Sequence, residues 1–174
     1  MDILECIRSR RSVREFKDTP VEKDSINAIL DAGRWAPSGL NDQPWRFIVV
    51  RERETRERLA GLTRYGHIIE GSKICIAVFL DREVMYDYVK DVQAVGACIQ
   101  NMLLAAHALG LGAVWLGEIL KNREHVNEEL VAPKTFELMA VIALGYPVER
   151  KRHSDRQALE DVSFSETCGR RWVP

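Results

Sequence analysis

Apolar residues recur along this chain in two periods, and the switches between them mark its elements. Ile3, Leu4 and Ile7 make one face of a short helix that Asp2 can cap and that should end near Ser9–Arg11. A second helix is predicted after Pro20, with Ile26, Ile29 and Leu30 on one face and Gly33 near its end. The segment 36-APSGLNDQP-44 breaks both periods and reads as a loop, because turn formers lie between two prolines. Trp45–Val50 (WRFIVV) is rich in β-branched and aromatic residues and predicts a strand. Arg51–Leu62 predicts a charged helix whose mixed charges mark a solvated face, and Ile74–Leu80 (ICIAVFL) a fully buried strand. Asp91–Leu109 is helical and apolar on most sides, through Val92, Val95, Ile99, Met102, Leu103 and Ala106. Such a helix should run through the centre of the fold or an oligomer interface. Gly110 and Gly112 are expected to stop it. Strands at Ala113–Leu116 and Phe136–Leu144 then flank a short helix at Glu124–Leu130. The tail, Asp161–Pro174, has few apolar anchors and is expected to need a partner surface to become ordered.

Composition narrows the classes. A chain of 174 residues, 46% hydrophobic and 29% charged, suits one soluble domain with a sizeable core. No apolar run is long enough to cross a bilayer, and MDILECIRSRR lacks an apolar signal core, so a cytoplasmic location is expected. The four cysteines are scattered without a Cys-x-x-Cys pair, and the histidines lack ligand spacing, so neither a disulfide scaffold nor a protein-bound metal is expected. Cys75 and Cys98 read as small core residues, and His107, inside AAHALG, as a helix-packing residue.

Charge is balanced overall, at a net -1, yet concentrated at one place. The stretch 8-RSRRSVREF-16 sets Arg8, Arg10, Arg11 and Arg14 among Ser9 and Ser12. Nucleic-acid modules owe most of their affinity to a basic excess that this chain lacks, so a small anion is the better partner. Arginine forks match phosphate oxygens, and each charge-assisted hydrogen bond is worth about 1.5–3 kcal/mol. Arg8 is equally well explained as a cation at a helix C-terminus. The loop Pro37–Pro44 offers amides and a hydroxyl suited to a heterocycle with polar edges, or is an ordinary turn. A second basic stretch, Arg150–Arg156, reads alone as a solvated tail. No nucleophile elbow, Walker loop or dinucleotide-binding glycine pattern is present, and Gly110-Leu111-Gly112 follows a helix instead of opening one. With no set of catalytic side chains in view, a bound cofactor is expected to carry any redox chemistry.

Taken in order, IRSRRSVREFKDTPV, APSGLNDQPWRF, IQNMLLAAHALGLGAVWLGEI and ALGYP followed by basic residues and Leu159-Glu160 resemble the nitroreductase family of FMN-dependent oxidoreductases. The resemblance spans nearly the whole chain. It implies an α+β fold, a mixed and largely antiparallel sheet wrapped by helices, and an intertwined homodimer with FMN at the interface. The tail from about residue 161 would pack on the partner. By the same resemblance, Arg10, Arg11 and Ser12 grip the FMN phosphate and ribityl chain, and Arg14 lies beneath the pyrimidine end of the ring. Ser38, Gly39, Asn41 and Gln43 match the loop that the neighbouring subunit lays along the flavin. Leu116 and Gly117, with Glu118 beside them, match the strand end facing the flavin N5. Arg156 matches a second phosphate-binding cation, with Arg152 as an alternative alignment. The chain departs from larger relatives at Arg64-Tyr65-Gly66-His67, where an asparagine and a lysine usually bond the ring; Arg64 or His67 could serve in their place. The short segment between Leu80 and Asp91 leaves little for a substrate lid.

What the resemblance implies chemically is hydride transfer from NADH or NADPH to the flavin N5 and onward to a small acceptor such as a nitroaromatic or a quinone. Two alternatives stand beside it. One is a flavoenzyme of the same fold that fragments flavin, dehalogenates or dehydrogenates; the other is a non-catalytic protein that binds phosphate or a nucleotide.

Overall fold

The computed structural model describes residues 2–148 and 154–172. Four antiparallel strands form one sheet in the order β1-β2-β4-β3: β1 (Trp45–Val50), β2 (Ile74–Asp81), β3 (Gly112–Leu116) and β4 (Phe136–Gly145). A parallel bridge from Ser12 to Ala113 extends the β3 edge and makes the sheet mixed. The expected α+β architecture, a largely antiparallel sheet wrapped by helices, is what the chain adopts.

Helices cover both faces, which is why β2 reads as an unbroken apolar run: all eight of its residues are buried. On one face α2 (Lys23–Arg34) and α5 (Tyr88–Ala108) pack over Ile74, Ile76, Val78 and Leu80. On the other, α3 (Arg53–Ala60), α4 (Gly66–Gly71) and α6 (Arg123–Glu129) pack over Cys75, Ala77 and Phe79. The register shifts between Val78 and Phe79, so Ala140 faces α5 while Leu138 turns to the opposite layer. Such a bulge keeps both apolar sets buried in spite of the period-two alternation.

The local causes differ from expectation at several points. Asp87 caps α5 by accepting from the Lys90 N–H at 3.0 Å, so the helix begins at Tyr88, three residues before the expected Asp91. Asp91 is buried and accepts from the Tyr86 and Asp87 N–H groups at 2.9 and 3.1 Å. Gly33 lies near the end of α2, as expected, but for a reason of packing. A Cβ there would stand 2.7 Å from Met102 Cγ, so glycine is what lets α2 approach α5. Gly110 does turn the chain with φ +75°, whereas Gly112 lies inside β3, where Val13 of the N-terminal segment occupies the space of its side chain. Arg51–Leu62 is not only a solvated face, because Arg56 is buried and donates to the Arg51 carbonyl. In α1 (Ile3–Ser9), Cys6 is the buried residue, and the apolar face of Ile3, Leu4 and Ile7 lies open to solvent. The tail carries a short helix, α7 (Leu159–Val162), and a Phe164–Arg171 bridge, all exposed or half-exposed.

Candidate functional site

Helix α1 stops at Ser9, and the chain then runs extended along the β3 edge. The Val13 N–H donates to the Ala113 carbonyl at 3.0 Å, and the Lys17 N–H to Tyr146 at 2.8 Å. This strap delivers Arg10, Arg11, Ser12 and Arg14 to one margin of the sheet. Val13 is buried and Arg14 exposed, the alternation expected of extended backbone against a core.

Arg10 and Arg11 are half-buried, and the Nε of each is buried without a hydrogen-bond partner. Arg11 Nη1 spends its hydrogen bonds on the Arg8 and Arg10 carbonyls, at 2.6 and 2.9 Å. Burial, then the positive charges of Arg11 and Arg156, hold the Arg10 guanidinium below its ordinary value. Arg156 therefore belongs to the same cluster, brought from the far end of the chain. It donates to the Asp155 carbonyl at 2.8 Å and to Ser154 Oγ. Arg152 lies outside the described residues. Three guanidiniums crowd together, and no salt bridge to a carboxylate is found for any of them among the described residues. Arg10 and Arg11 each keep one Nε without a partner, and Arg10 lies in the positive field of the other two, a grouping to which an anion is complementary.

From the Ser12–Ala113 bridge, β3 runs on to Leu116. Leu116 is buried, and Gly117 follows with nothing within 4 Å of where a Cβ would stand, so its backbone is open to a flat ligand. Glu118 draws a second segment to this corner. It accepts from Thr63 Oγ1 at 2.7 Å and from the Arg64 N–H at 3.3 Å, and it pairs with Lys121 at 3.2 Å. The Thr63 bond, then the Lys121 bond, hold the Glu118 carboxyl below the usual carboxylate range. Arg64 is anchored beside Gly117 by a 3.8 Å pair with the same carboxylate and lies over the Tyr65 ring at 4.9 Å. His67, by contrast, is exposed in the first turn of α4, with no hydrogen bond or ion pair among the described residues. Thr63 was missed from the sequence, because the spacing Thr63-x54-Glu118 carries no local signal.

Ser38, Gly39, Asn41 and Gln43 are not in this cluster. Their loop enters β1 at Trp45, whereas the Ser12–Ala113 pair lies level with Leu144 and Ile74, beside the Val50 end of β1. Four strand spacings and five residues along a strand separate the two sites within one chain, roughly 25 Å on the diagonal. The loop is nevertheless highly organised. Leu40, Asn41 and Gln43 all have positive φ, at 51°, 59° and 50°. The Gln43 N–H donates to Ser38 Oγ at 3.0 Å, and Gln43 Nε2 to the Asn41 carbonyl at 3.2 Å. Gly39 is pressed against the Tyr86 ring, and both carboxylate oxygens of Asp42 are buried without partners. Positive-φ residues and orphaned buried acceptors set this loop apart from an ordinary turn.

No group of three or more potential metal ligands occurs among the described residues, and none of their helices is long and apolar enough to cross a membrane.

Known proteins resemble this chain in sequence and in fold. Residues 7–66 and 62–146 match the model of the nitroreductase family. The chain is 40% identical over 151 residues to a Methanothermobacter thermautotrophicus protein described as an NADH dehydrogenase/NAD(P)H nitroreductase, covering 86% of this chain and 79% of that one. A protein of the same description from Archaeoglobus fulgidus is 36% identical over 153 residues, covering 86% and 88%. Among solved structures, a protein from Desulfovibrio desulfuricans, described as a nitroreductase in complex with FMN, superposes with a TM-score of 0.90. Its identity is 48%, over 96% of this chain and 98% of that one.

Proposed function

The chain belongs to the nitroreductase family, and from that premise we propose that it is an FMN-dependent oxidoreductase. It takes hydride from NADH or NADPH and delivers it to a small acceptor such as a nitroaromatic or a quinone. The observation that carries this reading is the grouping of Arg10, Arg11 and Arg156 near the Ser12–Ala113 bridge, with the open backbone of Gly117 at the far end of the same strand, β3. A phosphomonoester joined to a flat ring fits that pairing. Two unspent Nε donors match phosphate oxygens, and the unobstructed glycine leaves room for a ring.

When bound, FMN supplies the redox chemistry, since its ring accepts and returns a hydride. The chain's own residues bind and tune. Arg10, Arg11 and Arg156 hold the phosphate, with the Ser12 hydroxyl as a further donor. Arg14, exposed and with no acidic partner among the described residues, supplies positive charge to stabilise the ring's pyrimidine end on reduction. Glu118 fixes Thr63 and Arg64 at the Gly117 corner, so that Arg64 is the cation placed to take over the role of the usual ring-bonding pair. No side chain has to serve as acid or base for hydride delivery, which agrees with the lack of a catalytic set.

The loop bearing Ser38, Gly39, Asn41 and Gln43 completes the site from a second copy, because within one chain it is too far from Ser12. A homodimer would also cover the open apolar side chains of α1 and the tail, among them Ile3, Leu4, Leu159, Phe164 and Trp172. The test is direct. Purified protein should be yellow or become so with FMN, and should oxidise NADH or NADPH when a nitroaromatic or quinone is present. A colourless protein that FMN cannot reconstitute overturns the cofactor assignment. A yellow protein that oxidises neither nicotinamide overturns the reductase assignment.

A further inference from the structure

His107 stands behind the arginine cluster, outside the residues that the site has so far used. It lies in the last turn of α5, and its Nε2 is 2.8 Å from the hydroxyl of Ser9, the final residue of α1. That hydroxyl donates to the Glu5 carbonyl at 2.7 Å. Its oxygen is therefore the acceptor toward His107, and Nε2 carries the ring's proton. Nδ1 is the nitrogen left to titrate.

The charged groups that face the ring come from the segment following α1. Burial first, then Arg10 and Arg11, hold the imidazole below its ordinary value. Arg156 acts on Arg10 and is not among the charges that bear on the ring. Of the remaining charged residues on α1, Glu5 meets Ser9 through its backbone carbonyl and Arg8 meets Arg11 in the same way. No carboxylate is hydrogen-bonded to the ring among the described residues. The nearby charge that favours the neutral imidazole is thus the same charge that a phosphate would cancel.

We propose that His107, through its Nε2 contact with Ser9 at the end of α1, is a proton-linked positioning residue of the phosphate site and draws a proton from solvent onto Nδ1 when a phosphate dianion docks on Arg10, Arg11 and Arg156. The inference rests on the reading of that cluster as the FMN phosphate site. Protonation leaves the Nε2–H on Ser9, so the turn that carries Arg10 keeps its shape in both states. What changes is the charge behind the anion, which rises by one. The effect belongs to the phosphate and not to the ring, so riboflavin, which has the ring alone, does not produce it. Proton uptake on binding makes FMN affinity rise as pH falls through the window between the free and bound titrations of His107. The second ionisation of the phosphate itself, near pH 6, acts in the opposite sense. The signature is therefore the ratio of wild-type to His107→Gln affinity, which increases toward lower pH.

The experiment is a histidine-selective NMR titration of the FMN-loaded protein and of the same protein stripped of flavin. It is repeated on the stripped protein with inorganic phosphate and with riboflavin. The His107 resonance is identified by its loss in His107→Gln, or, should that variant not fold, by its perturbation in Ser9→Ala. The expected result is a midpoint below the ordinary histidine value in the stripped protein. It should shift upward with FMN and with phosphate, and not move with riboflavin. An unchanged midpoint while absorbance shows FMN bound overturns the proposal and leaves the cofactor assignment standing. Failure to bind FMN at all overturns the cofactor assignment instead, and the phosphate titration then decides: a raised midpoint supports the linkage, an unmoved one refutes it.

Discussion

A guanidinium held against two others has a divided effect on the protein that carries it, and Arg10 makes the division measurable. Its charge raises the free energy of the unliganded fold and lowers that of the anion complex. Arg10→Gln should therefore weaken FMN binding roughly 10- to 150-fold, the loss of one charge-assisted bond of about 1.5–3 kcal/mol. It should leave the flavin-free protein as stable as the wild type or slightly more so. Equilibrium FMN titration and thermal melts of the stripped protein check both halves, and a variant that loses stability without losing affinity refutes the assignment. Arg14→Gln should separate in the other direction. FMN affinity should fall little, while the flavin midpoint potential moves to a more negative value in a redox titration, because a cation near the reduced ring has been removed. His107 supplies a pH dependence of its own. Its depressed titration in the fold means that stability of the flavin-free protein is fully present above its unfolded value of about 6.5 and is lost as pH falls through the folded one. The clustering of Arg10 and Arg11 was legible because four arginines in one short stretch cannot all be explained by a helix end. His107 was not, since AAHALG looks the same whether the ring packs in a core or stands behind a charged cluster, and only the end of α1 decides which.

At the scale of elements, periodicity identified every strand to within a residue, because each strand's apolar set is compelled by helices on one face or both. What it missed has a common cause. α4 is six residues long, flanked by glycines, and too short to show a period. Gly33 and Gly112 read as terminators, yet each marks a close approach between elements, a property of tertiary packing that no local pattern contains. The two glycines also make unlike predictions. A Cβ at Gly112 would stand 2.5 Å from Val13 Cγ1, so Gly112→Ala should push the strap away from β3 and displace Ser12. The expected cost is about 1–3 kcal/mol of stability together with a loss of FMN affinity. At Gly33 the nearest atom is Met102 Cγ, part of an adaptable side chain, so Gly33→Ala should cost less and leave FMN affinity unchanged. Urea unfolding and FMN titration of the pair discriminate these outcomes, and equal affinity in both variants would show that the strap does not set the phosphate site.

For the molecule as a whole, the arginine cluster and the Ser38–Gln43 loop lie at diagonally opposite corners of one sheet, and a site using both must be shared between chains. This makes a prediction that a site within one chain cannot match. Consider Arg10→Gln in one chain and a Ser38→Ala/Asn41→Ala loop in another, each unable to hold FMN tightly as a homodimer. In a mixed dimer, one site combines both defects, but the other joins the unaltered arginines of the second chain to the unaltered loop of the first. Unfolding and refolding the two variants together should restore tight binding to about a quarter of all sites, since random pairing makes half the dimers mixed and each mixed dimer holds one intact site. FMN retained after desalting measures that fraction, and NADH or NADPH oxidation should return in proportion. If the mixture binds no more flavin than its parents do separately, the loop does not reach a neighbouring chain's arginines. Its positive-φ backbone and the orphaned carboxylate of Asp42 would then have to be explained by some other surface.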